Sequence, residues 1–157
     1  MTADAEANLA TLGLTLPDAP QAVANYVPTL VSGDLLFISG QISKDGAGHV
    51  VTGCLGRGAG RLSVTDGEAA ARLCALNILA QAKAALGSLD RIGQILRLTG
   101  FVTSTSEFND QPKVINGASD LMVAVLGERG RHTRSAVGVA ALPMGAAVEI
   151  DAILKVR

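Results

Sequence analysis

The chain has no tryptophan, one tyrosine and three phenylalanines among its 157 residues. Few rings are available to stack on unpaired bases, which counts against single-strand nucleic-acid binding. An excess of positive charge is missing too: 13 Lys plus Arg stand against 14 Asp plus Glu, a formal net charge of −1. No global field would draw the protein to a polyanion or an anionic membrane surface. At the N-terminus no basic stretch precedes an apolar one, because the first positive side chain is Lys44 while Asp4 and Glu6 come early. An export signal is not expected. The longest uncharged run, Ala19 to Gly33, contains Pro20 and Pro28 and is too short to cross a bilayer. Cys54 and Cys74 are the only cysteines and follow no metal-ligand spacing. Two reduced thiols in a cytoplasmic protein are therefore expected.

What the chain does have is apolar substance: 48% of residues are hydrophobic and 17% charged, which excludes disorder and predicts a packed core. The length suits one domain. Residues 1–24 read as an N-terminal arm or short helix, with helical composition over Ala5 to Leu12, a stop at Gly13, and Pro17 and Pro20 beyond. Residues 25–157 read as the domain proper. Val27 to Val31 and Leu35 to Ser39 flank Ser32-Gly33-Asp34 as a hairpin, and His49 to Val51 is a candidate third strand. Thr65 and Glu68 form a capping-box pattern before a helix that stops at Gly87. Ile92 to Val102 reads as a strand. A second helix has Pro112 in its first turn, an apolar stripe of Val114, Ala118, Leu121 and Val125, and a stop at Gly127. Thr133 to Val139 and Ala147 to Val156, joined by a turn at Pro143-Met144-Gly145, are expected to close the fold as a hairpin.

This order predicts an α+β mixed sheet with two helices packed on one face. Leu35 with Phe37, and Leu36 with Ile38, place apolar groups on both sides of the second strand. An uncovered apolar sheet face predicts a closed homo-oligomer with that face inside.

Familiar reactive motifs are scarce. Gly56, Gly58 and Gly60 lie too far from the next helix, without a strand leading in, for a dinucleotide loop. His49 lacks ligand-type neighbours, and His132 sits among Arg129, Arg131 and Arg134, which would repel a metal. No G-x-S-x-G elbow surrounds a serine, so nucleophilic catalysis is disfavoured. Arg129, Arg131 and His132 read as part of a solvated helix-to-strand loop. Arg134, at the start of a strand, could present its guanidinium fork to a carboxylate or phosphate. In the last strand Val148, Ile150, Ala152, Leu154 and Val156 share one face while Glu149, Asp151 and Lys155 lie on the other, and Tyr26 precedes the first strand.

Phe37-Ile38-Ser39-Gly40-Gln41-Ile42, Val114-Ile115-Asn116, Thr133-Arg134-Ser135, Leu142-Pro143 and Val148-Glu149-Ile150-Asp151-Ala152 together resemble the Rid or YjgF family of enamine/imine deaminases, often labelled L-PSP endoribonuclease-like. The resemblance implies a chorismate-mutase-like fold, a trimer with the sheets facing inward, and clefts at the subunit boundaries. It implies that Arg134 holds a substrate carboxylate, that Glu149 serves the reacting water, and that Tyr26, Ser39 and Asn116 line the cleft. Neither metal nor organic cofactor is implied. The expected reaction is hydrolysis of small 2-imino acids or enamines to 2-oxo acids and ammonia. A non-catalytic small-carboxylate-binding protein is the alternative, and endoribonuclease activity, carried only by the label, is a weaker one. The chain departs from better-known members at Ala136, where many have cysteine, at Ala24-Asn25 before the tyrosine, and in the glycine-rich loop from Gly53 to Ser63. Substrate identity is what these departures bear on. In a simple hairpin Arg134 and Glu149 would lie several residues apart, meeting through a register shift, through long side chains, or between subunits.

Overall fold

A computed structural model describes residues 4–157. The elements run α1 (Ala5–Thr11), β1 (Thr29–Ser32), β2 (Leu35–Ile42), α2 (Val64–Leu86), β3 (Ile92–Thr103), α3 (Gln111–Leu126), β4 (Thr133–Val139) and β5 (Val148–Val156). Short 3-10 turns occupy Leu89–Arg91, Gly127–Gly130 and Pro143–Gly145. The sheet order is β1-β2-β5-β3-β4, with β3 and β4 parallel and the other pairs antiparallel. No helix among the described residues is long and apolar enough to cross a membrane.

The helices form where sequence supplies caps and an apolar face. Ser63 caps α2, its hydroxyl accepting the Asp66 N–H while the Asp66 carboxylate accepts the Ser63 N–H at 2.8 Å. This box lies two residues upstream of the expected Thr65–Glu68 pair. The early start puts Gly67 against Leu55 and Val114, where an added Cβ would lie 2.5 Å and 2.9 Å from their side chains. Gly87, at φ 84, closes the helix in the left-handed region that glycine adopts freely. Helix α3 has its proline in the first turn as expected, and Val114, Ala118, Leu121 and Val125 are all buried.

The predicted closing hairpin does not form. Strand β3 lies between β4 and β5 and pairs with both. The unit β3-α3-β4 carries the chain through a helix and back, so β4 lies parallel beside β3, as such crossovers do. The segment after β4 then crosses the end of β3, where Thr103 donates its N–H to Ala147 O and its hydroxyl to Ala146 O. Strand β5 enters on the other side of β3. The expected strand at His49 to Val51 is reduced to isolated bridges, Lys44 with Val50 and Thr52 with Ala146, because Ser43 captures Val51 through both backbone and hydroxyl.

Helices α2 and α3 cover one face of the sheet, burying Leu36, Ile38, Ile95, Leu98, Val102, Ile150 and Leu154. Helix α1 docks on α3, where Ala5 and Leu9 are buried and the Asn8 amide donates to Val125 O. Among the described residues no helix covers the other, bare face. Leu30, Phe37 and Val137 stand exposed on it, and Leu30 pairs with Phe37.

Candidate functional site

Strand pairing decides where the two principal charged candidates point. Leu98, fully buried under the helices, pairs with both Arg134 and Ala152. Phe101 pairs with both exposed Val137 and Glu149. Side chains alternate along a strand and directly paired residues share a face. Arg134 therefore lies on the helix side of the sheet and Glu149 on the bare side. A guanidinium and a carboxylate that sequence reading imagined on one hairpin occupy opposite faces of the same sheet, separated by β3.

Glu149 lines a cavity of about 240 Å³ whose walls include Tyr26, Gly40, Lys44, Asn77 and Met144, with residues 20–23 of the segment before β1. Its carboxylate lies over the backbone of Gly40, where a Cβ would be 2.0 Å from Oε1. The β2 register shifts between Ile38 and Gln41, so Gly40 sits at a bulge that makes room for the acid. Half-burial raises the Glu149 pKa above its ordinary value, and the nearby Asp151 charge adds to the shift. Across the same cavity Met144 adopts φ 58, a conformation uncommon for a residue with a side chain.

Tyr26 is exposed at the cavity's edge. Ser39 does not line it. Its hydroxyl donates to Val27 O at 2.9 Å and its N–H to Pro28 O, which ties down the segment after Tyr26.

Arg134 borders a second groove, of about 290 Å³, with Asn116, Ser119, Asp120, Val123, Arg131 and His132. Its guanidinium donates to Ser119 Oγ at 3.0 Å and to the Pro112 carbonyl at 3.1 Å. Three of its five N–H groups remain beyond those two bonds. The neighbouring arginines are committed elsewhere. Arg129 is largely buried and donates to Ile92 O at 2.7 Å, and Arg131 Nε bonds both carboxylate oxygens of Glu128 at 3.0 Å. Within one chain the candidate residues thus fall into two sets, Tyr26 and Glu149 in one cavity, with Ser39 behind it, and Asn116 with Arg134 in the other groove.

Gly40, Lys44 and the Ser119–His132 pair were not singled out from sequence. Gly40 had a usable signal, since glycine inside an apolar strand marks a bulge or a close approach. Ser119 and His132 lie 13 positions apart and had none.

The family described as "YjgF/chorismate mutase-like, putative endoribonuclease" matches residues 6–152. The chain belongs to this YjgF/chorismate-mutase-like family. Its α+β sheet with helices on one side is the family's architecture. The chain is 50% identical over 152 residues to protein TCP17 of Trypanosoma cruzi, spanning 96% of this chain and 93% of that one. The crystal structure of protein Atu1372 from Agrobacterium tumefaciens is 51% identical and superposes with a TM-score of 0.89 over 98% of this chain and 92% of that one. The crystal structure of Escherichia coli TdcF with bound serine is 30% identical, with a TM-score of 0.62 over 88% of this chain and 93% of that one.

Proposed function

We propose that this YjgF-family chain is a cytoplasmic deaminase that hydrolyses small 2-imino acids, or their enamine tautomers, to 2-oxo acids and ammonia. The site is a cleft in which the Glu149 cavity of one protomer meets the Arg134 groove of another, in a trimer whose bare sheet faces turn inward. The observation that carries the reading is Glu149 itself: a half-buried carboxylate of raised pKa, seated over Gly40 and opening into a cavity. A carboxyl shifted upward sits nearer the working pH, where a group that both takes and returns a proton is most effective. The exposed Leu30, Phe37 and Val137 support association through the bare face. A relative crystallised with serine, an amino acid bearing a carboxylate, supports the substrate class.

In this reaction the free N–H groups of Arg134 bind the substrate carboxylate as a fork, which orients the adjacent C=N carbon. Glu149 takes a proton from water as the water oxygen bonds to that carbon. The resulting tetrahedral carbon carries both hydroxyl and amine. Glu149 returns its proton to the nitrogen, the C–N bond breaks, ammonia departs, and the hydroxyl loses its proton to leave the 2-oxo acid. Tyr26, at the cavity edge, offers a phenol to the developing charge. The protonated imine is itself the electrophile, so positioning and proton transfer suffice.

The test is ammonia release from imino acids generated in place by an amino-acid oxidase. The wild-type chain is expected to accelerate it, and Arg134→Ala to abolish the acceleration while the oligomer persists. Undiminished release by that variant would refute the role of Arg134. Binding of 2-oxo acids by the wild-type chain without faster imine hydrolysis would leave a small-carboxylate-binding protein instead.

A further inference from the structure

The Arg134 groove contains a constellation that imine hydrolysis does not require. Ser119 on α3 and His132, just before β4, approach with Oγ 2.9 Å from Nε2. The other ring nitrogen, Nδ1, lies 2.6 Å from Gly130 O. A carbonyl oxygen only accepts, so Nδ1 carries the proton of the neutral ring, and bare Nε2 accepts the Ser119 hydroxyl. Burial lowers the His132 pKa most, the bond to Gly130 O opposes it, and the Arg134 charge lowers it further, so the net shift is downward and favours the neutral ring. Arg131 and Arg134 beside it and Asp120 on α3 are the charged groups of the groove. Arg134 Nη1 donates to Ser119 Oγ at 3.0 Å, within reach of charge developing near that oxygen.

We propose that Ser119 is a nucleophile activated by His132, and that the groove takes activated esters or thioesters whose acyl group carries a carboxylate. The parts are a hydroxyl bonded to a base, a base oriented by a backbone carbonyl, a cation beside the attacking atom, and open space of about 290 Å³. Ser119 Oγ bonds to the acyl carbon as its proton passes to His132 Nε2. The bond from that carbon to the alcohol or thiol breaks, and the leaving group takes the proton from Nε2. Water, deprotonated by the same nitrogen, then releases the acyl group as a carboxylic acid and restores Ser119. The spare N–H groups of Arg134 hold the carboxylate at the far end of the acyl chain.

The test treats the full-length protein, without imino acid, with an alkyl fluorophosphonate. Ser119 Oγ displaces fluoride from phosphorus and the bond stays intact for mass mapping. Failure here is therefore separate from failure of imine hydrolysis. The expected result is label on Ser119, none there in Ser119→Ala, and at least about tenfold slower labelling in His132→Asn, the scale of lost base assistance. With chromogenic esters, 4-nitrophenyl hemisuccinate is expected to react about tenfold faster than 4-nitrophenyl acetate, the advantage vanishing in Arg134→Ala. Wild-type protein unlabelled at Ser119, or labelled equally fast in His132→Asn, would overturn the nucleophile. Equal rates for the two esters would overturn the carboxylate-bearing substrate class.

Discussion

The two halves of the candidate cleft are built by opposite means. Around Glu149 the chain supplies mostly apolar walls: Pro20, Ala22, Val23, Pro28, Ile42 and Met144 border the cavity, and a glycine bulge admits the carboxylate. Around Arg134 it supplies partners: a serine hydroxyl and a backbone carbonyl take two donors and leave the rest of the fork open. The first arrangement tunes a proton affinity; the second fixes a direction. Catalysis of imine hydrolysis needs both. The alternation of β4 and β5 about β3 keeps them on opposite faces of one chain, so the proposed reaction requires a site completed by association.

The largest effect expected from breaking the contrast is at the proton carrier. Glu149→Gln keeps the shape and removes the base, and kcat for imine hydrolysis should fall by about 10²–10⁴-fold, measured as ammonia release. Gly40→Ala attacks the same half indirectly. Its Cβ displaces the Glu149 carboxylate, a flexible side-chain end, so activity should drop by roughly tenfold or more while the thermal melt shows a folded protein.

Smaller effects sharpen the electrostatics. Glu149 must be ionised to act as base, so the acid limb of kcat/KM should lie above the ordinary carboxylate value of about 4.3. Asp151→Asn removes the second cause of the shift and should move that limb to lower pH. The smallest effect is on stability. The folded-state pKa of Glu149 is raised, so its ionised form disfavours the fold at pH values above that pKa. The penalty fades as pH falls towards the unfolded value. Glu149→Gln should then raise Tm at pH 8 by less than about 2 °C, a partly exposed group being well screened, with no gain near pH 4.

Much of this architecture was readable in the residues, and what was not has identifiable causes. Helix α3 announced itself by Pro112, the stripe at Val114, Ala118, Leu121 and Val125, and Gly127, because local caps and periodicity are near-neighbour properties. Alternation in β5 placed Val148, Ile150, Ala152 and Leu154 in the core correctly. The apolar residues on both faces of β2 anticipated the bare side, where Phe37 is 37% exposed. Strand order was hidden. A turn signal at Pro143-Met144-Gly145 says that the chain reverses, not that another strand lies between the reversed segments. With β3 inserted, Arg134 and Glu149 moved to opposite faces, and the register problem posed by a hairpin disappeared. The close approach of Glu149 to Gly40 joins residues 109 positions apart, and the Ser119–His132 bond depends on how α3 lies along β4. Neither leaves a periodic trace.

Subunit complementation tests the shared site most directly. Arg134→Ala and Glu149→Gln chains, each inactive alone, are unfolded together, refolded at equal ratio, and assayed for ammonia release from freshly generated imino acid. A site that draws Arg134 from one protomer and Glu149 from another leaves about one quarter of all sites with both native residues after random reassembly, and activity should return to about that fraction of wild type. Mixed oligomers that stay as inactive as their parents would contradict the account.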